Sequence, residues 1–441
     1  MLFRSVKEES GGRSLNGAFF GYTLVSSDMV FMGQAMGHND SRHVLDSPYV
    51  DYLIAPVAYN QRRPGAFTES MLCPWSCNAN GKIFFNHIDF RHHHAPGSDF
   101  YHTDSIEESA SVLYRELARN LTQGNPFQFY DFSNGWTFGD KRICRIAGKM
   151  QDLLLQYRWS AKDFDKKDYL MVVVDEKLMG RFDCFNPPFG RELVYNQITY
   201  LDQAGIPYRC VLFSDLMKHP ELQEYGAYLF LNQFRLDDGM ASFIQEKIMT
   251  GGRLVAFVGP VGILTPDGIS ARNAERLFGM KFNVSPEERD AHCKATGLWP
   301  ELGGQVWGAK AKDKYPFIML PDNAEESQVV GTMAGDDAPG ALYFERPDCR
   351  VYWSAVASTT PEMLRALARR AGVPVVAEGH DAVYVGCGFI GIHAHSAGLK
   401  TIRLIGEGTP KDILTGRTWP KGTREITLHM DFGENRIFIM E

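Results

Sequence analysis

The sequence predicts an α/β protein in three parts: two parallel-sheet units followed by a small antiparallel β unit. Three observations carry this expectation. Through the first two thirds, short apolar strands alternate with helical stretches, the pattern of parallel sheets. Strands such as YLMVVV and LVAFV are apolar without a break, as strands covered on both faces are. From about Pro374 the helices stop, and short strands follow one another across Gly-rich turns. A length of 441 residues fits about three domains, at roughly 150 residues each.

In the first part, residues 17–22 (GAFFGY), 50–55 (VDYLIA), 82–85 (KIFF) and 127–132 (FQFYDF) are the expected strands. The helix before the last of them is well signalled. Ser105 with Glu108 forms a capping box, Ile106, Ala110, Leu113, Leu117 and Leu121 line one face, and Gly124 ends it. The charged stretch WSAKDFDKKD, residues 159–168, has no apolar periodicity and marks a boundary. A second alternation then begins. Strand 169–174 leads to the loop 175–190 and a helix over 192–203 ended by Gly205. Strands 209–213 and 228–232, a helix over 239–250 ended by Gly251, and strand 253–258 follow. This predicts a doubly wound sheet. The last part holds AVYVG, FIGIHA, KTIRLI, REITLHM and NRIFIM as strands, with DFGEN as the turn between the final two.

Composition narrows the function. The net charge is −7 and no basic block is present, which argues against nucleic acid or an anionic membrane as partner. No apolar run approaches the length of a membrane-spanning helix. Eight cysteines in so long a chain read as reduced thiols rather than a disulfide framework, so a cytoplasmic location is expected. Cys73 and Cys77, in CPWSC, lack a second pair at zinc-site spacing. No Gly-rich phosphate motif follows any strand, and the turn GPVGI after strand 253–258 has no nucleophile, so the second part reads as chemically empty.

Chemistry concentrates in the loops after the first four strands. In HIDFRHHH, residues 87–94, period-two alternation puts His87, Asp89 and Arg91 on one face, with Asp99 and His102 close behind. This patch is either a catalytic or metal-binding cluster or a hydrated histidine loop. Tyr59, Arg62, Arg63 and Glu69 follow the second strand, where arginine and tyrosine suit hydroxyl-rich or anionic ligands. Asp131 and Trp136 follow the fourth, and the Trp ring could stack on a sugar.

Taken in order, these blocks resemble glycoside hydrolase family forty-two, the β-galactosidases. ESGGRSLNGAFFGY, HVLDSPYVDYLIAPVAYNQRRPG, GKIFFNHIDFRHH and FQFYDFSNGW look like the fifth to eighth strands of that family's (β/α)8 barrel. VVVDEK, PYRCVLFSDL and YLFLNQFRLDD resemble its trimerisation domain, a degenerate glutaminase-like or flavodoxin-like fold. RALARRAGVPVV, FIGIHAHSAGLKTIRL and the final strands resemble its last β domain. The resemblance implies three domains: the C-terminal half of a barrel over 1–158, a trimerisation domain over 165–372, and a β domain over 373–441.

It also implies a function: hydrolysis of O-glycosidic bonds of β-linked sugars by a retaining two-carboxylate mechanism in the complete enzyme. The family's acid/base glutamate lies on the fourth barrel strand, ahead of the residues matched here. Its nucleophile lies at the tip of the seventh, where the alignment puts His87, with Asp89 two residues on. Retaining hydrolysis needs two carboxyl groups about 5–5.5 Å apart. Asp89, His87 and Glu69 are the catalytic candidates, and Tyr59, Arg62, Arg91, Asp131 and Trp136 the sugar-binding ones. No metal or cofactor is implied. A catalytically inactive carbohydrate-binding or oligomerisation protein is the alternative.

Two structural expectations follow. His87, Asp89 and Asp131 should converge with Tyr59, Arg62 and Trp136 on one polar pocket, because parallel barrel strands open at the same end. Residues 169–370 should self-associate, as trimers by resemblance, through aromatic loop residues such as Phe182, Phe185 and Phe189.

Overall fold

A computed structural model describes residues 2–24, 37–59, 61–68, 70–95, 101–131, 139–158, 162–179, 191–309 and 314–441. All four strands expected in the first part form. They are β1 (Gly17–Phe19), β2 (Tyr52–Pro56), β3 (Ile83–Ile88) and β4 (Phe127–Phe129). They make one parallel sheet in sequence order, and among the described residues the barrel is not closed.

The register aligns Phe19 with Ile54, Ile54 with Phe85, and His87 with Gln128. Because side chains alternate, the sheet has two unlike faces. Phe84, Asn86 and Ile88 point to the covered face and are buried, whereas Ile83 and Phe19, on the other, are 41% and 57% exposed. Toward the end of β3 the cover is α1 (Ile106–Gln123) and α2 (Lys141–Tyr157), while Phe84 packs in the core that holds Cys73 and Cys77. Ile88 shares a core with Leu113 and Leu117 of α1, Ile143 and Met150 of α2, and Tyr384, Phe389 and Ile437 from the C-terminal strands.

The signals read for α1 operate as expected. Ser105 Oγ accepts from the Glu108 amide, and Gly124 takes the left-handed conformation at φ +68°. The helix is nonetheless buried on more than its apolar stripe, with Arg115, Glu116, Arg119 and Asn120 inside as well. The C-terminal strands press on its far side. A Cβ at Gly391 would lie 2.7 Å from that of Ala118, so only glycine permits this approach.

The second sheet has nine strands. Strands β5 (Leu170–Val174), β6 (Tyr208–Leu212), β7 (Ala227–Phe230) and β8 (Arg253–Val258) are parallel, in the order β6-β5-β7-β8. A fifth parallel strand, Cys349–Ser354, joins β8. Beyond it the sheet continues as an antiparallel run through Pro339–Arg346, Val329–Met333, His292–Ala295 and Val306–Gly308. Every residue of β5 and β7 is buried, as their unbroken apolar sequence predicts. The expected helix over 192–203 is a π-helical turn, Arg191–Tyr195, running into the α-helix Asn196–Ala204. Phe182, Phe185 and Phe189 lie outside the described residues.

The five strands expected at the C-terminus are present. They form a four-stranded antiparallel sheet, which also takes in Pro410–Asp412, and a separate ribbon. Cys73 and Cys77 are buried at the helix Pro74–Ala79, and Cys73 Sγ lies 3.5 Å from Cys210 Sγ in β6. They join the first sheet to the second as core groups, with burial raising both thiol pKa values. No described helix is long and apolar enough to cross a membrane.

Candidate functional site

The site is built at the C-terminal ends of β2 and β3. Past β2 the described residues 61–68 are held from two sides. Arg115 of α1 donates to the carbonyls of Arg63 at 2.7 Å and Ala66 at 3.2 Å. From the C-terminal strands, His393 Nε2 accepts from the Gly65 amide at 2.7 Å, and His395 Nδ1 lies 2.6 Å from the Gly65 carbonyl. Gly65 has φ +73°, and a Cβ there would sit 2.3 Å from the Phe432 ring. The Pro-Gly turn is thus fixed, and with it Arg62.

Arg62 reaches across to the tip of β3. Its Nη2 lies 2.6 Å from Asp89 Oδ1, and its Nη1 donates to the Asp89 carbonyl at 2.7 Å. Arg91 donates to the same carbonyl at 2.7 Å and stands 3.8 Å from Asp89 Oδ2. The Arg62 guanidinium also lies over the Tyr59 ring, 4.4 Å from its centre. Tyr59 Oη is 2.7 Å from Tyr22 Oη, which brings in the stretch after β1. Asp89, Arg62 and Arg91 are all buried. Burial raises the Asp89 pKa from its ordinary value, with the Arg62 charge pulling the other way. Burial likewise raises Tyr59, reinforced by its bond to Tyr22.

His87 sits beside this cluster on the open face of the sheet. The edge of Phe19 and the ring of Tyr130 flank it at 5.1 and 4.9 Å between ring centres. Gln128 Nε2 donates to its Nδ1 at 3.0 Å. Burial lowers its pKa, the strongest influence on it, so the ring is neutral near pH 7 and carries its proton on Nε2. A neutral imidazole can donate a hydrogen bond from such a place. It cannot supply a carboxylate.

The structure therefore brings together Asp89, Arg62, Arg91, Tyr59 and His87. Asp131 lies within charge range of the buried His92. Glu69 and Trp136 lie outside the described residues. Sequence reasoning missed Tyr22, whose aromatic strand-end position was the available signal. It also missed the charged network behind the site. Glu116 of α1 is buried with Arg119 Nη2 2.7 Å from its Oε2, Thr68 donating to Oε1 at 3.0 Å, and Arg115 alongside. Three charged residues within five positions, Arg115, Glu116 and Arg119, were the signal there.

No family model matches the sequence, and no curated protein matches it. Solved structures do match. A beta-galactosidase from Bacillus circulans sp. alkalophilus aligns at 15% identity and TM-score 0.50, over 97% of this chain and 59% of that one. Gan42B, a GH42 beta-galactosidase, aligns at 11% identity and TM-score 0.53, over 94% of this chain and 68% of that one. A catalytic mutant of Gan42B from G. stearothermophilus gives 12% identity and TM-score 0.54, over 89% and 64%. At these identities the likeness is one of fold: a mixed α/β chain like the β-galactosidases, spanning 59–68% of their length.

Proposed function

We propose that this chain provides the sugar-recognising strand tips of a β-galactosidase-like glycoside hydrolase, which cleaves β-linked sugars by a retaining mechanism when its barrel is complete. One observation carries the reading: Tyr22, Tyr59, Arg62, Asp89, Arg91 and His87 gather at the C-terminal ends of parallel strands, where (β/α) folds place their chemistry. Hydroxyl, guanidinium and carboxylate groups beside the Phe19 and Tyr130 rings suit the polar edge and apolar face of a pyranose. In this reading Glu69, Asp131 and Trp136 contribute from the neighbouring loops. Residues 1–158 form the partial barrel, 165–372 a trimerisation-type domain and 373–441 the last β domain.

A second reading, sugar binding without turnover, is favoured by the state of Asp89. Its carboxyl is buried and engaged by Arg62, and a neutral histidine holds the place two residues before it. Retention needs a second carboxyl group at about 5–5.5 Å and an acid whose help is worth roughly 10²–10⁴-fold. The test is calorimetric titration of the full chain with methyl β-galactoside and related β-glycosides, beside an aryl β-galactoside assay. Saturable binding supports the proposal, and absence of binding to any of them overturns it. Turnover above background that is lost in Asp89→Asn would reject the second reading.

A further inference from the structure

We propose that His93, His94 and Asp140 form a binding site for a divalent transition-metal ion, of the zinc or cobalt type, that clamps the loop after β3 to the start of α2. The two histidines are consecutive in a turn, which swings both rings to one side, 4.0 Å apart between centres. Asp140 caps α2 by accepting from the Arg142 amide. His94 Nε2 stands 2.8 Å from Asp140 Oδ2 and His93 Nε2 stands 3.3 Å from it. One ligand atom from each of the three residues falls within 4.8 Å of the others. The 2.8 and 3.3 Å separations are ones that a single ion with bonds of about 2.0–2.2 Å can span, and two imidazoles with one carboxylate suit such metals.

Two further features point to a cation. A positive group already sits among the three: Arg142 Nη2 is 2.8 Å from Asp140 Oδ2 and 3.3 Å from His93 Nε2. It comes from a half-exposed side chain that is free to swing into solvent as an ion enters. The ring of His93 is also oriented from behind. Its Nδ1 lies 3.0 Å from the buried Ser109 Oγ, which is itself 2.7 Å from Thr103 Oγ1. Coordination at Nε2 places the ring proton on Nδ1, where Ser109 Oγ accepts it. Outer groups of this kind orient metal-bound histidines.

The same loop carries Asp89 and Arg91, so the ion would hold the strand-tip cluster from outside without touching a sugar. The site does not depend on the functional reading above. It is tested on tag-free full-length chain by calorimetry with Zn²⁺ and by the visible spectrum with Co²⁺. One equivalent is expected to bind. His93→Ala, His94→Ala and Asp140→Asn should each weaken binding by about tenfold or more, and Ser109→Ala by about tenfold. Arg142→Ala should tighten it severalfold, a gain that unfolding could not produce. Failure of either ion to bind at about 100 μM, or equal affinity in the wild type and the three ligand variants, would overturn the proposal.

Discussion

The two parallel sheets of this molecule follow opposite plans. In the nine-stranded sheet the inner strands are covered on both faces, and β5 and β7 are buried throughout. In the four-stranded sheet, among the described residues, one face is covered throughout and the other only in part, with Ile54 and His87 buried there but Phe19 and Ile83 exposed. Phe84 is 1% exposed on the covered face, while Phe19 is 57% exposed on the other. The strand ends differ less sharply, since β5 also runs into two buried acids, Asp175 and Glu176. After β8 the chain continues through the apolar turn GPVGI, and after β2 and β3 it meets buried ions: Arg62, Asp89 and Arg91. One sheet spends its sequence on a core, and the other on a face and a rim able to meet something else.

The largest effect expected from this contrast lies behind the working surface. Glu116→Gln removes the partner of two buried arginines, a loss on the order of 3–5 kcal/mol. It should appear as a lower urea midpoint of the full chain. Burial works to raise the Glu116 pKa, but Arg119 and Arg115 overcome it and hold it at about 2. A depressed folded-state pKa stabilises above the unfolded value and loses that contribution as pH falls through the folded one. Glu116 therefore favours the fold at pH values above about 4.5, and this is lost toward about pH 2. In Glu116→Gln the stability–pH curve should be flatter across that window.

Next comes the covered face. Phe84→Ala should cost about 3–5 kcal/mol by the same urea measurement. Arg62→Met, which leaves Asp89 buried beside Arg91 alone, should destabilise by about 1–3 kcal/mol and abolish sugar binding in a calorimetric titration. The smallest effect is expected on the open face, where Phe19→Ser should stay within about 0.5 kcal/mol of the wild type. A loss at Phe19 as large as that at Phe84 would show that the open face is covered in solution, and would break the contrast. For the other sheet, light scattering at tens of micromolar should return a trimer. A monomer would remove the proposed self-association.

Much of this architecture was legible in the residues. The strands of the first sheet, α1 with its Ser105 cap and Gly124 stop, the apolar strands β5 to β8 and the C-terminal strands all follow from local patterns. The antiparallel run from His292 to Arg346 was not read. Its strands are short and mixed, as in HCKA and VWG, and pairing decides them rather than period. At the site, the meeting of Asp89 with Arg91 follows from their spacing of two residues just past the end of β3. Arg62 and Tyr59 could be assigned to the same end of the sheet, but their contacts depend on the turn at Gly65 being held by His393 and Arg115 from two distant segments. The Glu116 network was hidden for a related reason. Charged residues on a helix read as solvent-facing until the C-terminal strands are known to cover them.

The central claim is that the ends of β2 and β3 bind a β-linked sugar. The most direct test is a crystal structure of the full chain with methyl β-galactoside. The account predicts the sugar at those strand ends, its hydroxyls about 3 Å from Tyr59 Oη and the Arg62–Asp89 pair and its apolar face toward Tyr130 or Phe19. A sugar bound elsewhere, with these side chains unmoved and untouched, would contradict it.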